Sequence, residues 1–330
     1  MKKISAFCAI IILATALLFA GGSKETRGLE EASDEHPTVI LRFPTAGASG
    51  ALYSVGAAIT NMWNMNIPFV KASSQASAGG IDNLNQIADG ESQVSIAISS
   101  NCWQSYNGTD VFEGMANTKL RVIAGLYFNP NQVVVTNRSG ITTLADVKGK
   151  HFAVAASGSS VEGECRNHFT AAGLNYPDDI RAEYISFSDS AELLANGQID
   201  GAWIMSGTPA PAVSQALSSG CRLLSIDEST ISNLKAEYPW YVTYIIPAGT
   251  YPNQKEDTTT TAIKMVLFCS ADLDEETVYM LTKTLWENIG ELGESQSNLR
   301  GLTPQQAVLD VAGLPLHEGA RRYYREIGIL

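Results

Sequence analysis

Metal-binding and redox-active side chains are scarce in this sequence, which has five cysteines and four histidines. No two cysteines form a C-x-x-C pair, and His36, His151, His168 and His317 show no metal-ligand spacing, so neither a structural zinc nor a catalytic metal is expected. Positive charge is also in short supply. The formal net charge is −12, which argues against a surface built for nucleic acid or for an anionic membrane. There is no repeat of solenoid period and no low-complexity tract. Apart from one stretch at the start, no long apolar run exists that could cross a bilayer.

That one stretch is residues 7–19, preceded by Met1-Lys2-Lys3 and followed by the small residues Ala20, Gly21 and Gly22. Thirteen apolar residues are too few to span a ~30 Å hydrocarbon core as a helix. With a basic start and a small-residue end they read as a secretory signal peptide over 1–22. Cleavage after Gly22 is preferred, because cleavage after Ala20 would leave bulky Leu18 upstream. A lipid anchor would need a cysteine right after the small residues, and Cys8 lies too early, so the mature chain is expected in the periplasm without lipid. Its four remaining cysteines, Cys102, Cys165, Cys221 and Cys269, are compatible with disulfides in three full pairings or with buried thiols.

Residues 23–37 are polar and end in Pro37, as a flexible tether does. From Thr38 onward, short runs rich in β-branched residues alternate with segments of helical period, the pattern of an α/β protein with mostly parallel sheets. Strands are predicted at 39–43, 94–98, 122–126, 133–136, 152–155, 184–187, 202–205, 223–226, 242–246 and 262–268. Leu52, Val55, Ile59, Met62 and Trp63 recur at helical spacing, which predicts an amphipathic helix over 51–64 with Trp63 in the core. Val278, Leu281, Leu285, Trp286 and Ile289 make another helical face, the longest predicted, with a start signal in Asp272 and Glu275. About 300 mature residues suffice for two lobes. Turn-rich segments at 137–140 and 247–250 divide the chain into 38–136 plus 247–330 as one lobe and 137–246 as the other, joined by a hinge with two crossings.

Chemistry is expected in the loops that follow strands. Pro44-Thr45-Ala46-Gly47-Ala48-Ser49-Gly50 runs into the first helix, and Ser157-Gly158-Ser159-Ser160 opens another near Val161. Small residues let backbone approach a ligand closely, and the free amides of a helix start favour an anionic group. Ser99, Ser100 and Asn101, and Ser206-Gly207-Thr208-Pro209, end two further strands. Ligands in open α/β sheets bind outside the carboxyl ends of strands, so these four loops should converge. The expected contacts are Ala48, Ser49, Gly50, Tyr53, Ser99, Gly158, Ser159, Ser160, Glu162 and Gly207, with Glu162 as acceptor for an ammonium. Other candidate charges are Glu164, Arg166 and Arg42; Trp103 and Tyr106 are candidate wall residues.

A secreted serine hydrolase is the alternative from another class, since Gly47-Ala48-Ser49-Gly50 partly echoes a nucleophile elbow. Ala51 stands where the last glycine of that motif belongs, and the only late histidine, His317, sits in a segment that reads as a helix cap. No enzymatic activity is therefore expected.

Taken in order, several segments resemble the TAXI family of solute receptors for TRAP (tripartite ATP-independent periplasmic) transporters. They are Thr45 to Tyr53, ITTLADVKGK over 141–150, Gly158-Ser159-Ser160 with Ala171-Ala172-Gly173-Leu174, and Gly197-Gln198-Ile199-Asp200-Gly201-Ala202. Gly207 and Pro209, Ile246 to Tyr251, and Leu316 through Gly328 complete the series. The resemblance implies a type II periplasmic-binding-protein fold that closes on its ligand and delivers it to an ion-driven TRAP-type integral-membrane permease; a monomer is expected. It also implies a small acid of the glutamate, glutamine or 2-oxoglutarate kind as ligand, and no cofactor. Gly158-Ser159-Ser160-Val161 stands where the family tends to have Gly-Ser-Gly-Thr, and Leu52 where an aromatic is common. Delivery to an ATP-driven (ABC) importer is the alternative within the same fold.

Overall fold

Alternating apolar runs and helical segments do fold into strands and helices in the expected order. A computed structural model describes residues 36–46 and 51–330. The signal peptide, tether residues 23–35 and the loop residues Ala48, Ser49 and Gly50 lie outside the described residues. The order begins β1 (Val39–Pro44), α1 (Ala51–Asn66), β2 (Val70–Gln75), α2 (Gly80–Ala88), β3 (Val94–Ile98) and α3 (Ser99–Asn107). It continues with β4 (Leu120–Thr136), β5 (His151–Ala153), α4 (Ser160–Ala171), β6 (Arg181–Glu183), α5 (Phe187–Ala195) and β7 (Gly201–Met205). Then come α6 (Pro211–Ser218), β8 (Cys221–Leu224), α7 (Glu228–Glu237), β9 (Val242–Ile246) and β10 (Thr258–Ser270). Helices α8 (Glu275–Glu287), α9 (Ile289–Ser295) and α10 (Glu318–Glu326) close the chain.

Strands β1 and β2 pair in parallel, and the remaining eight form one sheet in the order β3-β10-β4-β7-β5-β6, with β8 on β4 and β9 on β10. The two long strands change neighbours along their length. Leu120 to Pro130 of β4 lies against β10, whereas Asn131 to Thr136 lies against β7 and β8. Met265 to Cys269 of β10 pairs with β3, and Thr258 to Ala262 with β9. Successive side chains on a strand point to opposite faces. Val133, Val135 and Trp203 accordingly enter one core with Phe152 and Phe169, while Val134, Ala202 and Ile204 enter another with Val213 and Leu217. Around the other half of the sheet, Ile123, Met265 and Leu267 pack with α1 and α8, and Val122, Val266 and Phe268 with Leu84 and Phe112. Both faces of each half are covered, which is why these strands read as near-continuous apolar runs. The result is a two-lobed α/β molecule sharing two strands.

Several expectations are corrected. The large sheet is mostly antiparallel, not mostly parallel, because the long strands β4 and β10 run against each of their neighbours. The segments predicted as strands 122–126 and 133–136 are one 17-residue strand. Asn129-Pro130-Asn131 looks like a break, but Asn131 is held there by Thr261, 3.1 Å from its amide nitrogen, and by the Trp203 indole, 3.0 Å from its oxygen. The strand predicted at 184–187 lies at Arg181–Glu183, and Phe187 instead opens α5, whose cap Ser186 accepts from the Asp189 amide. The longest helix among the described residues is α1, with 16 residues, not α8, with 13. Asp274, not Asp272, caps α8; Asp272 pairs with Lys119 at 2.7 Å. Trp63 is fully buried, as expected, and Cys102, Cys165, Cys221 and Cys269 are free, buried thiols. Among the described residues no helix is long and apolar enough to cross a membrane.

Candidate functional site

The carboxyl ends of the strands and the starts of the helices that follow them surround a cavity of about 580 Å³. From one half of the sheet come Ala46 after β1, Leu52 of α1, the loop Ala78-Gly79-Gly80 before α2, Ala97 and Ile98 of β3, and Met265 of β10. From the other come Gly158, Ser159, Ser160 and Val161 at the start of α4, Phe187 of α5, and Met205, Ser206 and Gly207 at the end of β7. Tyr127 and Asn129 of β4 form the floor, and Asn298 reaches in from a short turn near the carboxyl terminus.

Local sequence fixes the two helix starts. Gly158 has φ +70° and Gly79 φ +105°, conformations that disfavour any residue with a Cβ. Ser159 then caps α4 by accepting from the Glu162 amide at 3.2 Å. At α2, the Ala78 amide donates to Asp82 (3.0 Å), and the Gly79 amide to Ser77 (3.1 Å), whose hydroxyl is tied to Asn83 (2.6 Å). Asn83 in turn donates to the carbonyls of Thr45 (2.8 Å) and Ile96 (3.0 Å), fixing α2 to the ends of β1 and β3. The amides of a first helical turn have no partner within their own helix, so both starts present donors and positive partial charge.

Beside the cavity, a buried polar chain connects α3, α4 and the long strands. Ser160 donates to Asn101 (2.5 Å), and Ser100 to the Glu164 carboxylate (3.2 Å), whose other oxygen accepts from the Tyr241 hydroxyl (2.6 Å). Glu164 is 3% exposed, and burial pushes its carboxyl up to about 7, against the pull of Tyr241, Ser100 and Arg166. One turn on, His168 is fully buried, and burial lowers it to about 4. A neutral His168 therefore holds its proton on Nδ1, donating to the Glu164 carbonyl (2.6 Å), and accepts at Nε2 from Thr261 (2.6 Å).

Of the residues predicted from sequence, Gly158, Ser159, Ser160 and Gly207 meet in the cavity wall. Ser99 is fully buried behind it with no partner for its hydroxyl. Tyr53 lines a separate groove between α1 and α9, and Glu162 a small depression adjoining the cavity at the α4 start, with Arg166 and Asp110. Arg42 donates to the Glu91 carbonyl (2.9 Å), and Trp103 packs against Trp240 in a tilted pair, 5.4 Å between ring centres. His317 caps α10 by accepting from the Gly319 amide (3.2 Å), and its other ring nitrogen faces the Leu273 carbonyl (3.0 Å). Among the described residues no cluster of three metal-binding side chains occurs.

Sequence reasoning missed Gly79 and Gly80 because β2, with only Val70 and Ala72 buried, carries too weak a pattern to announce the loop after it. Met265 falls inside a predicted strand, and Tyr127 just past the one predicted at 122–126. Asn298 had no local signal.

A model of the NMT1-like family matches residues 43–328. Among solved structures, a protein from Bordetella bronchiseptica RB50 is 16% identical over 87% of this chain and 98% of its own, with a TM-score of 0.52. A chain from a study of glutathione import via GshT and the cystine ABC importer TcyBC of Streptococcus mutans is 12% identical over 82% and 98%, with a TM-score of 0.50. The alkanesulfonate-binding protein SsuA from Xanthomonas axonopodis pv. citri is 18% identical over 88% and 84%, with a TM-score of 0.49. At these identities the likeness to the first two is one of fold alone.

Proposed function

The chain belongs to the NMT1-like family of solute-binding proteins, and from that premise we propose that it is an exported receptor. It takes a small carboxylate-bearing solute, of the kind glutamate, glutamine and 2-oxoglutarate represent, into the cavity and delivers it to a TRAP-type permease, as a TAXI-type receptor does. The observation that carries this reading is the convergence of two glycine-opened helix starts, α2 and α4, on one cavity walled by both halves of the sheet. A carboxylate placed there meets backbone amides and the positive ends of two helices. Gly158, Ser159, Ser160 and Gly207 are the proposed contacts, joined by Ala48, Ser49 and Gly50 of the first loop. No step of this role makes or breaks a covalent bond.

Closure is proposed to bend β4 and β10 where they change neighbours, near Pro130-Asn131 and Ala262-Ile263. That placement moves the lobe limits read from sequence, 136/137 and 246/247, into the two shared strands. The ligand favours the shut state only through its greater affinity for it.

Thermal unfolding of the purified protein against a panel of amino, oxo and dicarboxylic acids tests the reading. A ligand at a hundred times its Kd adds ~2.7 kcal/mol, and with ~2–4 °C per kcal/mol the midpoint should rise by roughly 5–11 °C. A panel that leaves the midpoint unmoved, together with a denatured preparation that releases no small acid on mass spectrometry, would refute it. Uptake in vesicles carrying the permease, driven by an ion gradient and not by ATP, separates the TRAP role from the ABC one.

A further inference from the structure

The cavity's walls say more about the ligand than its helix starts do. Leu52, Ile98, Tyr127, Phe187, Met205 and Met265 supply apolar surface from both halves of the sheet, and three of these, Ile98, Met205 and Met265, are at most 7% exposed. Unbranched thioethers adapt to irregular apolar shapes, so Met205 and Met265 make a tolerant wall. Charged side chains are nearly missing. Asp82 is the only one among the described lining residues, and neither lysine nor arginine is present. The loop Gly47-Ala48-Ser49-Gly50 carries no charged residue either, whatever its position. The Arg166 guanidinium lies in the adjoining depression, 3.3 Å from its partner Asp110.

One desolvated carboxylate can be met by the amides of the two helix starts. A second would lie against the apolar wall with no cation among the described lining residues to pair it and with Asp82 to repel it, and burying an uncompensated charge costs several kcal/mol. The cavity volume also falls within the ~300–1,000 Å³ of pockets that take drug-sized ligands. We infer that the solute is a monocarboxylate with a bulky apolar body, an aliphatic or aromatic oxo or amino acid, and not a dicarboxylate. The inference rests on the receptor reading above, and it replaces the glutamate and 2-oxoglutarate named there with monocarboxylates.

Calorimetric titration tests it, with 4-methyl-2-oxopentanoate, phenylpyruvate, leucine and phenylalanine on one side and glutamate and 2-oxoglutarate on the other. At least one apolar acid binds about 10-fold or more tighter than either dicarboxylate, the discrimination that an apolar group in a fitted pocket yields. Placing a cation on the wall reverses the order. Phe187→Arg, on the half-buried first residue of α5, and Leu52→Lys, on the opposite side of the cavity, should each weaken the apolar acid and strengthen 2-oxoglutarate by about 10-fold. Circular dichroism confirms that each variant is folded, and either folded variant suffices. Tighter binding of the dicarboxylates by the wild type, or an unchanged preference in a folded variant, overturns the inference and leaves the receptor reading standing. Binding of none of the six acids overturns the inference, and the wider melting panel with mass spectrometry then decides the receptor reading.

Discussion

Trp203→Ala should lower the stability of the protein by about 3–5 kcal/mol, the usual cost of emptying a fully buried aromatic site. Trp203 sits in β7 with no exposed surface, packed at 4.7 Å between ring centres against His168 and at 5.7 Å against Phe169. Its indole N–H donates to Asn131 (3.0 Å), so the substitution also strips a buried amide oxygen of its partner, at a further ~1–3 kcal/mol. Asn131 is the residue at which β4 passes from β10 to β7, and β7 is the strand whose end carries Met205, Ser206 and Gly207 to the cavity. One side chain thus holds the shared strand to the wall. The melting midpoint should fall by roughly 6–20 °C on the core cost alone, and Trp203→Phe, which keeps most of the volume, should recover part of that. A loss below about 1 kcal/mol for Trp203→Ala would mean that this core is not packed as described.

Glu164→Gln should turn a flat pH profile of stability into a sloping one. The folded-state pKa of Glu164 is raised from 4.5 to about 7, chiefly by burial. Between those values the folded protein binds more protons than the unfolded chain, so this group's contribution is full below 4.5 and is lost as pH rises towards 7. The folded-state pKa of His168 is lowered from 6.5 to about 4, again chiefly by burial. There the unfolded chain binds more protons, and stability is lost as pH falls from 6.5 towards 4. Across 4.5 to 6.5 the two slopes, each up to ~1.4 kcal/mol per pH unit, oppose one another. Glutamine keeps the acceptor for Tyr241 and removes the titration, leaving His168 alone. Relative to wild type, the variant should lose about 3 kcal/mol between pH 6.5 and 4. Replacing His168 instead should expose the opposite trend, with stability falling from pH 4.5 to 7. Denaturant unfolding at several pH values reads both, and a Glu164→Gln profile parallel to the wild type would contradict the pairing.

That network also marks the limit of what the sequence discloses. Glu164 and Arg166 look alike in chain order, as charges shortly after a glycine loop, yet Glu164 turns inward to Tyr241 and Arg166 outward to Asp110. Two residues apart on α4, they fall on different faces of the helix, but which face is buried depends on α3 and on the segment before β9, both distant in sequence. The α/β pattern was legible because β-branched runs covered on both faces have a strong signature. Strand β2, with polar residues at four of its six positions, does not. The openings at Gly158-Ser159-Ser160 and Gly207 were legible because small residues after an apolar run imply a strand-to-helix turn. The apolar wall was not, since Tyr127, Met205 and Met265 carry the same signature as core and only the assembled sheet shows that they border a space.

The central claim is that one small acid is held between the starts of α2 and α4. A crystal structure of the protein grown with the acid that most raises its melting point tests this most directly. The account predicts density for that acid in the cavity, its carboxylate on the first amides of the two helices and its body against Met205 and Met265. Density at another surface, with this cavity holding water alone, would contradict it.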